Sequence, residues 1–409
     1  MGSRPALGKE AQCLARFRAF LHTEDLNVHA CEVDILGGRG LAAPPITHSS
    51  VVSRSSKDTY TPAWWVPGPH AQTLWGKLVR RSPQVSTRAE QWTTPDGDTL
   101  EIRRLDAPVG TSGHVPRLLI LHGLEGTIRS HYVRGLLDEA RRRGWAADVL
   151  IFRGCNGEIP AAPRFYHSGE TTDLDFVVQR LTAAHPQQPL VAVGVSLGGN
   201  VLLKWLGERG DDLPSTVRAA AAVSVPYDLE RGSRQLERGF SRVYAFLFMR
   251  TLRRKALEKL AAQPGLFVEG RLRDARTLAE FDDAVTAPVH GFEGARDYYT
   301  RSSARHFLAT IARPTLLLSA FDDPFLPAKV LDDVSIVALK NTFLTVEFHA
   351  RGGHSGFVSG LLPWRPVYFA ERRVIEFLSS HVGPSTGSPG TTSTNIQSER
   401  DRRSPPERI

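Results

Sequence analysis

Leu190-Val191-Ala192-Val193-Gly194-Val195-Ser196-Leu197-Gly198-Gly199-Asn200-Val201-Leu202-Leu203-Lys204-Trp205-Leu206 decides the reading of this chain. An apolar run of strand type leads into Gly194-Val195-Ser196-Leu197-Gly198, and a helical run follows. The order strand, sharp turn, helix with a serine at the apex makes G-x-S-x-G a nucleophile elbow. The flanks supply the meaning, because a chain with 35 glycines produces the bare string by chance. Glycine is required two residues either side of the serine, where a Cβ would strike neighbouring backbone. The turn lifts the Ser196 hydroxyl off the sheet and aims the Leu197 N–H at the same space.

Acyl transfer by serine needs a base, a group that orients the base, and donors for the developing oxyanion. In an elbow fold the chain order is serine, acid, histidine, each at a strand end. After the strand Thr315–Leu318 comes Ser319-Ala320-Phe321-Asp322-Asp323-Pro324-Phe325-Leu326-Pro327. Asp323 precedes Pro324 and stands four residues before Pro327, so it is the expected acid, with Asp322 as the alternative. Aspartates in such a place also cap helices, which is the bland reading of both. After the strand ending at Phe348, Gly352-Gly353-His354-Ser355-Gly356 gives the expected base. His349, in strand register, reads as structural, while His114 and His290 have no such setting. Leu118–Leu121 runs into His122-Gly123-Leu124-Glu125-Gly126, so Leu124 and Leu197 are the candidate backbone donors of an oxyanion hole. His122 reads as a buried loop former.

Short apolar strands at Arg117–Leu121, Ala146–Phe152, Leu190–Val195, Arg218–Val225, Pro314–Ser319 and Thr342–Phe348 alternate with helical segments. The helices fall at Ser130–Arg143, Thr171–Ala184, Leu197–Glu208 and Ala370–Ser380. That rhythm predicts an α/β fold, a mostly parallel sheet flanked by helices on both faces. Gln91–Asp106 alternates around Thr94-Pro95-Asp96-Gly97-Asp98, a hairpin signal for antiparallel leading strands. From about 227 to 303 the rhythm breaks into helical, Arg-rich and aromatic sequence. An insertion there would sit over the carboxyl edge of the sheet, as a helical cap. The hydrolase domain is expected over 58–383. Residues 1–57 read as a poorly ordered extension with a short amphipathic segment at 14–21, and 384–409 as a disordered tail.

Cys13, Cys31 and Cys155 are too few for a disulfide framework and lack zinc spacing, which suits a reducing, cytoplasmic setting. The net charge of +8 is concentrated over 231–276, but without interleaved stacking aromatics the reading excludes nucleic acid and favours a solvated helical face. Contact with an acidic lipid surface stays open. No stretch of about twenty uncharged apolar residues predicts a membrane span. No phosphate loop, dinucleotide fingerprint or metal-binding pair is present, so no cofactor and no metal are expected. Oligomeric state is silent.

Further motifs accompany the elbow: Thr61-Pro62-Ala63-Trp64-Trp65-Val66-Pro67-Gly68-Pro69-His70-Ala71-Gln72-Thr73-Leu74-Trp75, and Phe281-Asp282-Asp283 through Pro288-Val289-His290-Gly291-Phe292 to Asp297-Tyr298-Tyr299. With Leu121–Gly126, Gly199-Asn200 and Gly352–Phe357 they make residues 60–380 resemble the YheT-like family of α/β-hydrolases. The resemblance implies a hydrolase acting on short acyl esters or, as in eukaryotic relatives, on acylglycerols or phospholipids. It implies a relay of Ser196, one of Asp322 and Asp323, and His354. Ala71 stands where the family usually has Leu. The tryptophans at 64, 65 and 75 read as a structural strap, and Pro288–Phe292 as a shaper of the cap. The expectation is a serine hydrolase cleaving small-molecule or lipid-like carboxylic esters through an acyl-enzyme. Acyl transfer to an alcohol, or a low-turnover binder on the same fold, is the alternative.

Overall fold

Runs that are buried on both faces become the middle of the sheet. In the computed structural model, which describes residues 59–111 and 114–383, every residue of β3 (Arg117–Leu121), β4 (Ala146–Ile151) and β5 (Leu190–Val195) is buried. The expectations for residues 1–57, with Cys13, Cys31 and the segment at 14–21, and for 384–409 fall outside the described residues.

The predicted leading hairpin is β1 (Arg88–Thr93) and β2 (Thr99–Leu105), paired antiparallel with Thr93 opposite Thr99. With β6 (Val217–Val223), β7 (Thr315–Ala320) and β8 (Leu344–His349) they complete an eight-stranded sheet ordered β1-β2-β4-β3-β5-β6-β7-β8. β2 meets β4 antiparallel, and from β4 across to β8 every pairing is parallel. Parallel neighbours require crossovers, and the helices α2 (His131–Arg142), α3 (Thr172–Ala184), α4 (Leu197–Arg209) and α11 (Ala328–Ala338) occupy them. A helix missed in sequence, α1 (Gly68–Leu78), precedes the sheet, and α12 (Phe369–Ser379) follows it. A two-stranded hairpin of β9 (Val358–Ser359) and β10 (Val367–Tyr368) stands between β8 and α12.

Between β6 and β7 the described residues contain no strand, as the broken rhythm predicts. They form α5 (Leu229–Leu236), α6 (Ser241–Ala262), α7 (Glu269–Asp274), α8 (Leu278–Phe281), a π-helical turn Asp282–Thr286, α9 (Ala287–His290) and α10 (Ala295–Ser302). These helices bury small apolar clusters apart from the main core, one of them shared with Leu74 of α1. The basic run on α6 is not simply a solvated face. Arg250 and Arg254 are exposed, whereas Lys255 and Lys259, one turn apart on another stripe, turn inward to Glu125 and to the carbonyl of Ala162.

Candidate active site

Ser196 sits at φ 56°, ψ −122°, a conformation that side-chain-bearing residues rarely adopt, directly between β5 and α4. The turn is held by glycine packing. A Cβ on Gly194 would lie 2.3 Å from the Gly198 carbonyl oxygen, and one on Gly198 would lie 2.5 Å from that of His122. Neither backbone can yield, so the elbow and the loop after β3 are in direct contact. The Ser196 N–H donates to Val223 O at 2.8 Å, tying the apex to β6.

His354 and Asp323 reach this serine from loops that follow β8 and β7. Ser196 Oγ lies 2.9 Å from His354 Nε2, and His354 Nδ1 lies 2.9 Å from Asp323 Oδ2. A carboxylate only accepts, so Nδ1 carries the hydrogen and Nε2 is left to accept from the serine hydroxyl. Asp323 Oδ1 also accepts the Phe325 N–H at 2.8 Å, and the Phe325 ring stacks on the imidazole at 4.0 Å. Asp322 points elsewhere: its Oδ1 accepts the Gly353 N–H at 2.9 Å, so it braces the histidine loop. Two adjacent aspartates thus hold one loop, one by its side chain and one by its backbone.

Leu124 and Leu197 both line the cavity with Ser196, and their N–H groups donate to no acceptor among the described residues. The next amide is occupied, since Glu125 N–H donates to the Tyr166 hydroxyl at 2.9 Å. Glu125 has a φ of 55°, and its carboxylate accepts from Tyr166 at 2.8 Å and from Lys255 of α6 at 2.9 Å. A charge pair therefore links the loop after β3 to the cap. His122 is fully buried, with Nε2 accepting the Phe152 N–H at 3.2 Å and Nδ1 facing Gly123 O at 2.8 Å. Burial pushes its imidazole down to about 4, so it stays neutral as a loop former. His349 packs edge-on to Tyr60 and Phe369, a structural place as expected. His290 lies against His167, their ring centroids 4.4 Å apart.

Sequence reading missed α1. Gln72 is buried and accepts the Val358 N–H while donating to Val66 O and Val358 O. Thr73 Oγ1 donates to Pro69 O and accepts the His354 N–H, at 2.7 and 2.9 Å. A Cβ on Gly353 or Gly356 would fall within 2.5 Å of the Pro69 or Gln72 carbonyl oxygen, so the histidine loop lies flat on this helix. The Pro-His-Ala-Gln-Thr motif is the bed of the histidine loop. Only its unexplained buried-type polar residues, Gln72 and Thr73, hint at this in the sequence.

The cap closes the cavity from the other side with Leu229, Leu236, Phe248, Leu252, Phe281 and Val285. The cleft encloses about 1480 Å³, including space open to solvent. Most of its exposed wall is apolar, with the relay, Asp282 and the charged side chains Arg153, Glu158, Arg254, Glu258, Lys259 and the Glu125–Lys255 pair set into it. Asp282 accepts from Thr286 Oγ1 and from the Tyr299 hydroxyl, both at 2.6 Å. Burial pushes its carboxyl up to about 6. The Phe281 to Tyr299 motif thus ties the π-helical turn to α10, while the Tyr298 hydroxyl accepts the Ser168 N–H at 2.9 Å. Among the described residues no group of three or more His, Cys, Asp or Glu could hold a metal, and no helix is long and apolar enough to cross a membrane.

A family model described as the alpha/beta hydrolase fold matches residues 116–360. The Escherichia coli (strain K12) protein named "Putative esterase YheT" is 38% identical over 339 residues, covering 82% of this chain and 98% of that one. Mouse "Phospholipase ABHD3" is 30% identical over 356 residues, 85% of this chain and 84% of its own length. Zebrafish "Monoacylglycerol lipase ABHD2" is 26% identical over 360 residues, 84% and 83% of the two chains.

Proposed function

The chain belongs to the YheT-like family of alpha/beta hydrolases, and on that premise we propose that it cleaves carboxylic esters through an acyl-enzyme. One observation carries the reading: the Ser196–His354–Asp323 hydrogen-bond relay beside two unengaged amides, opening on a mostly apolar cleft. Ser196 Oγ attacks the ester carbonyl as His354 Nε2 takes its proton, and Asp323 steadies the resulting imidazolium. The Leu124 and Leu197 N–H groups hold the oxyanion, a contribution of about 2.7–4 kcal/mol per donor in related chemistry. His354 returns the proton to the departing alcohol. Water then attacks the acyl-enzyme with His354 as base and releases the acid.

The lining of the cleft supports an acyl or alcohol part of low polarity, and the family supports lipid-like esters among its substrates. The proposal extends to a cytoplasmic enzyme, consistent with Cys155 as a buried free thiol. The test is labelling by a fluorophosphonate probe, followed by turnover of a p-nitrophenyl ester series of rising chain length. Labelling should map to Ser196, and Ser196→Ala should lose both labelling and turnover while keeping its circular dichroism. Turnover that survives Ser196→Ala sinks the assignment.

A further inference from the structure

The loop joining β9 to β10 carries Leu361-Leu362-Pro363-Trp364-Arg365, and its large apolar side chains face solvent. Leu361 is 84% exposed, Trp364 63% and Leu362 40%, and Trp64 beside them is 75% exposed. Trp64 belongs to the same surface because its indole N–H donates to Leu361 O at 3.1 Å. Exposure of scattered apolar side chains is ordinary, but this group is contiguous and rigidly mounted. Trp65 Nε1 donates to Gly360 O at 3.0 Å, and Trp65 packs edge-on to Trp75 of α1 at 4.9 Å. Ala63, Val66 and Val358 form a buried apolar cluster beneath, and the Leu362 carbonyl accepts the Arg365 N–H at 3.0 Å to close the turn.

We propose that this tip, formed by Trp64, Leu361, Leu362 and Trp364, docks the protein on an anionic lipid surface. Exposed on a turn, these side chains present a surface that a deformable partner can surround. A fluid bilayer interface does that without a preformed pocket. Indoles favour this interfacial layer because they offer a large apolar face and one polar N–H. The charge agrees. Arg365 lies within the tip, is exposed, and forms no ion pair among the described residues. The chain as a whole carries +8. A basic side chain within an apolar tip is attracted to phosphatidylglycerol or phosphatidylserine headgroups. The same helix α1 beds the His354 loop, so the tip and the proposed relay are mounted on one frame.

The experiment is sedimentation of the full chain with vesicles of equimolar phosphatidylcholine and phosphatidylglycerol, and with phosphatidylcholine alone. The wild type should sediment with the anionic vesicles and blue-shift its tryptophan emission. The double variant Leu361→Ser/Trp364→Ser should bind about a hundredfold more weakly, and Arg365→Gln about fivefold more weakly. Both should keep wild-type turnover of a soluble short-chain ester. Ser196→Ala should bind vesicles like the wild type, so failure of the hydrolase reading leaves this one standing. Vesicle binding unchanged in the double variant overturns the proposal. Absence of wild-type binding also overturns it. If the double variant changes self-association in sedimentation velocity and not vesicle binding, the tip meets protein, which equally rejects a lipid partner.

Discussion

The floor and the roof of the cleft are built by different means. On the floor, backbone meets backbone, with the Asp322 and Thr73 side chains as braces: Gly198 lies against the His122 carbonyl, Gly353 and Gly356 against α1, each without space for a Cβ. The roof rests on side chains, with Lys255 reaching Glu125 and Asp282 held by Thr286 and Tyr299. A backbone contact of that closeness fixes position regardless of which side chains surround it, whereas a side-chain contact changes with one substitution. In the proposed mechanism the reactive geometry therefore rests on the floor, and the shape offered to a substrate on the roof.

Substitutions at Asp323, Thr73 and Asp282 strain that contrast, in falling order of expected effect. Asp323→Asn should lower kcat at neutral pH by about 10⁴, because an amide stabilises the wrong imidazole tautomer. Its neighbour Asp322→Asn keeps an oxygen for the Gly353 N–H and should cost no more than about fivefold. Equal losses in steady-state assays of the two would mean that the acid has been misassigned. Thr73→Val removes the acceptor for the His354 N–H, and kcat should fall about tenfold with KM held within about twofold. Thr73→Ser should restore it. A loss confined to KM would show that α1 does not position the base.

The smallest effect is expected on the roof. Asp282→Asn should move KM a few-fold across an ester chain-length series and leave kcat nearly unchanged. The folded carboxyl titrates near 6, above its ordinary 3.8, so the native state binds the proton more tightly than the unfolded chain. Wild-type stability should then drop, relative to the Asn variant, by about 1–2 kcal/mol as pH rises from 4 through 6. Thermal scans of both proteins at the two ends of that window would measure the difference. Parallel Tm curves would remove Asp282 from the account.

Much of the floor is legible in the amino-acid sequence. The strands of the sheet centre are unbroken apolar runs, and the elbow sits between one of them and a helix, so period and punctuation agree. Asp323 is preferred to Asp322 because Pro324 follows it. The frame of the histidine loop is not legible, because α1 starts at Gly68 after Pro67 and exposes its purpose only across the fold. β9 and β10 are two residues each, too short for alternation to register. Lys255 and Lys259 look like their exposed neighbours, since sequence gives the spacing of a helical stripe but not which stripe meets the core.

The bed beneath His354 also bears on how the molecule comes together. Thr73 and His354 are 281 positions apart, and Ser196 and His354 are 158 apart. Contacts of such separation form late, after the entropy of closing long loops has been overcome. Far-UV ellipticity reports helices and strands that need only near neighbours. In refolding from denaturant, ester turnover should therefore lag behind ellipticity, as the final signal to return.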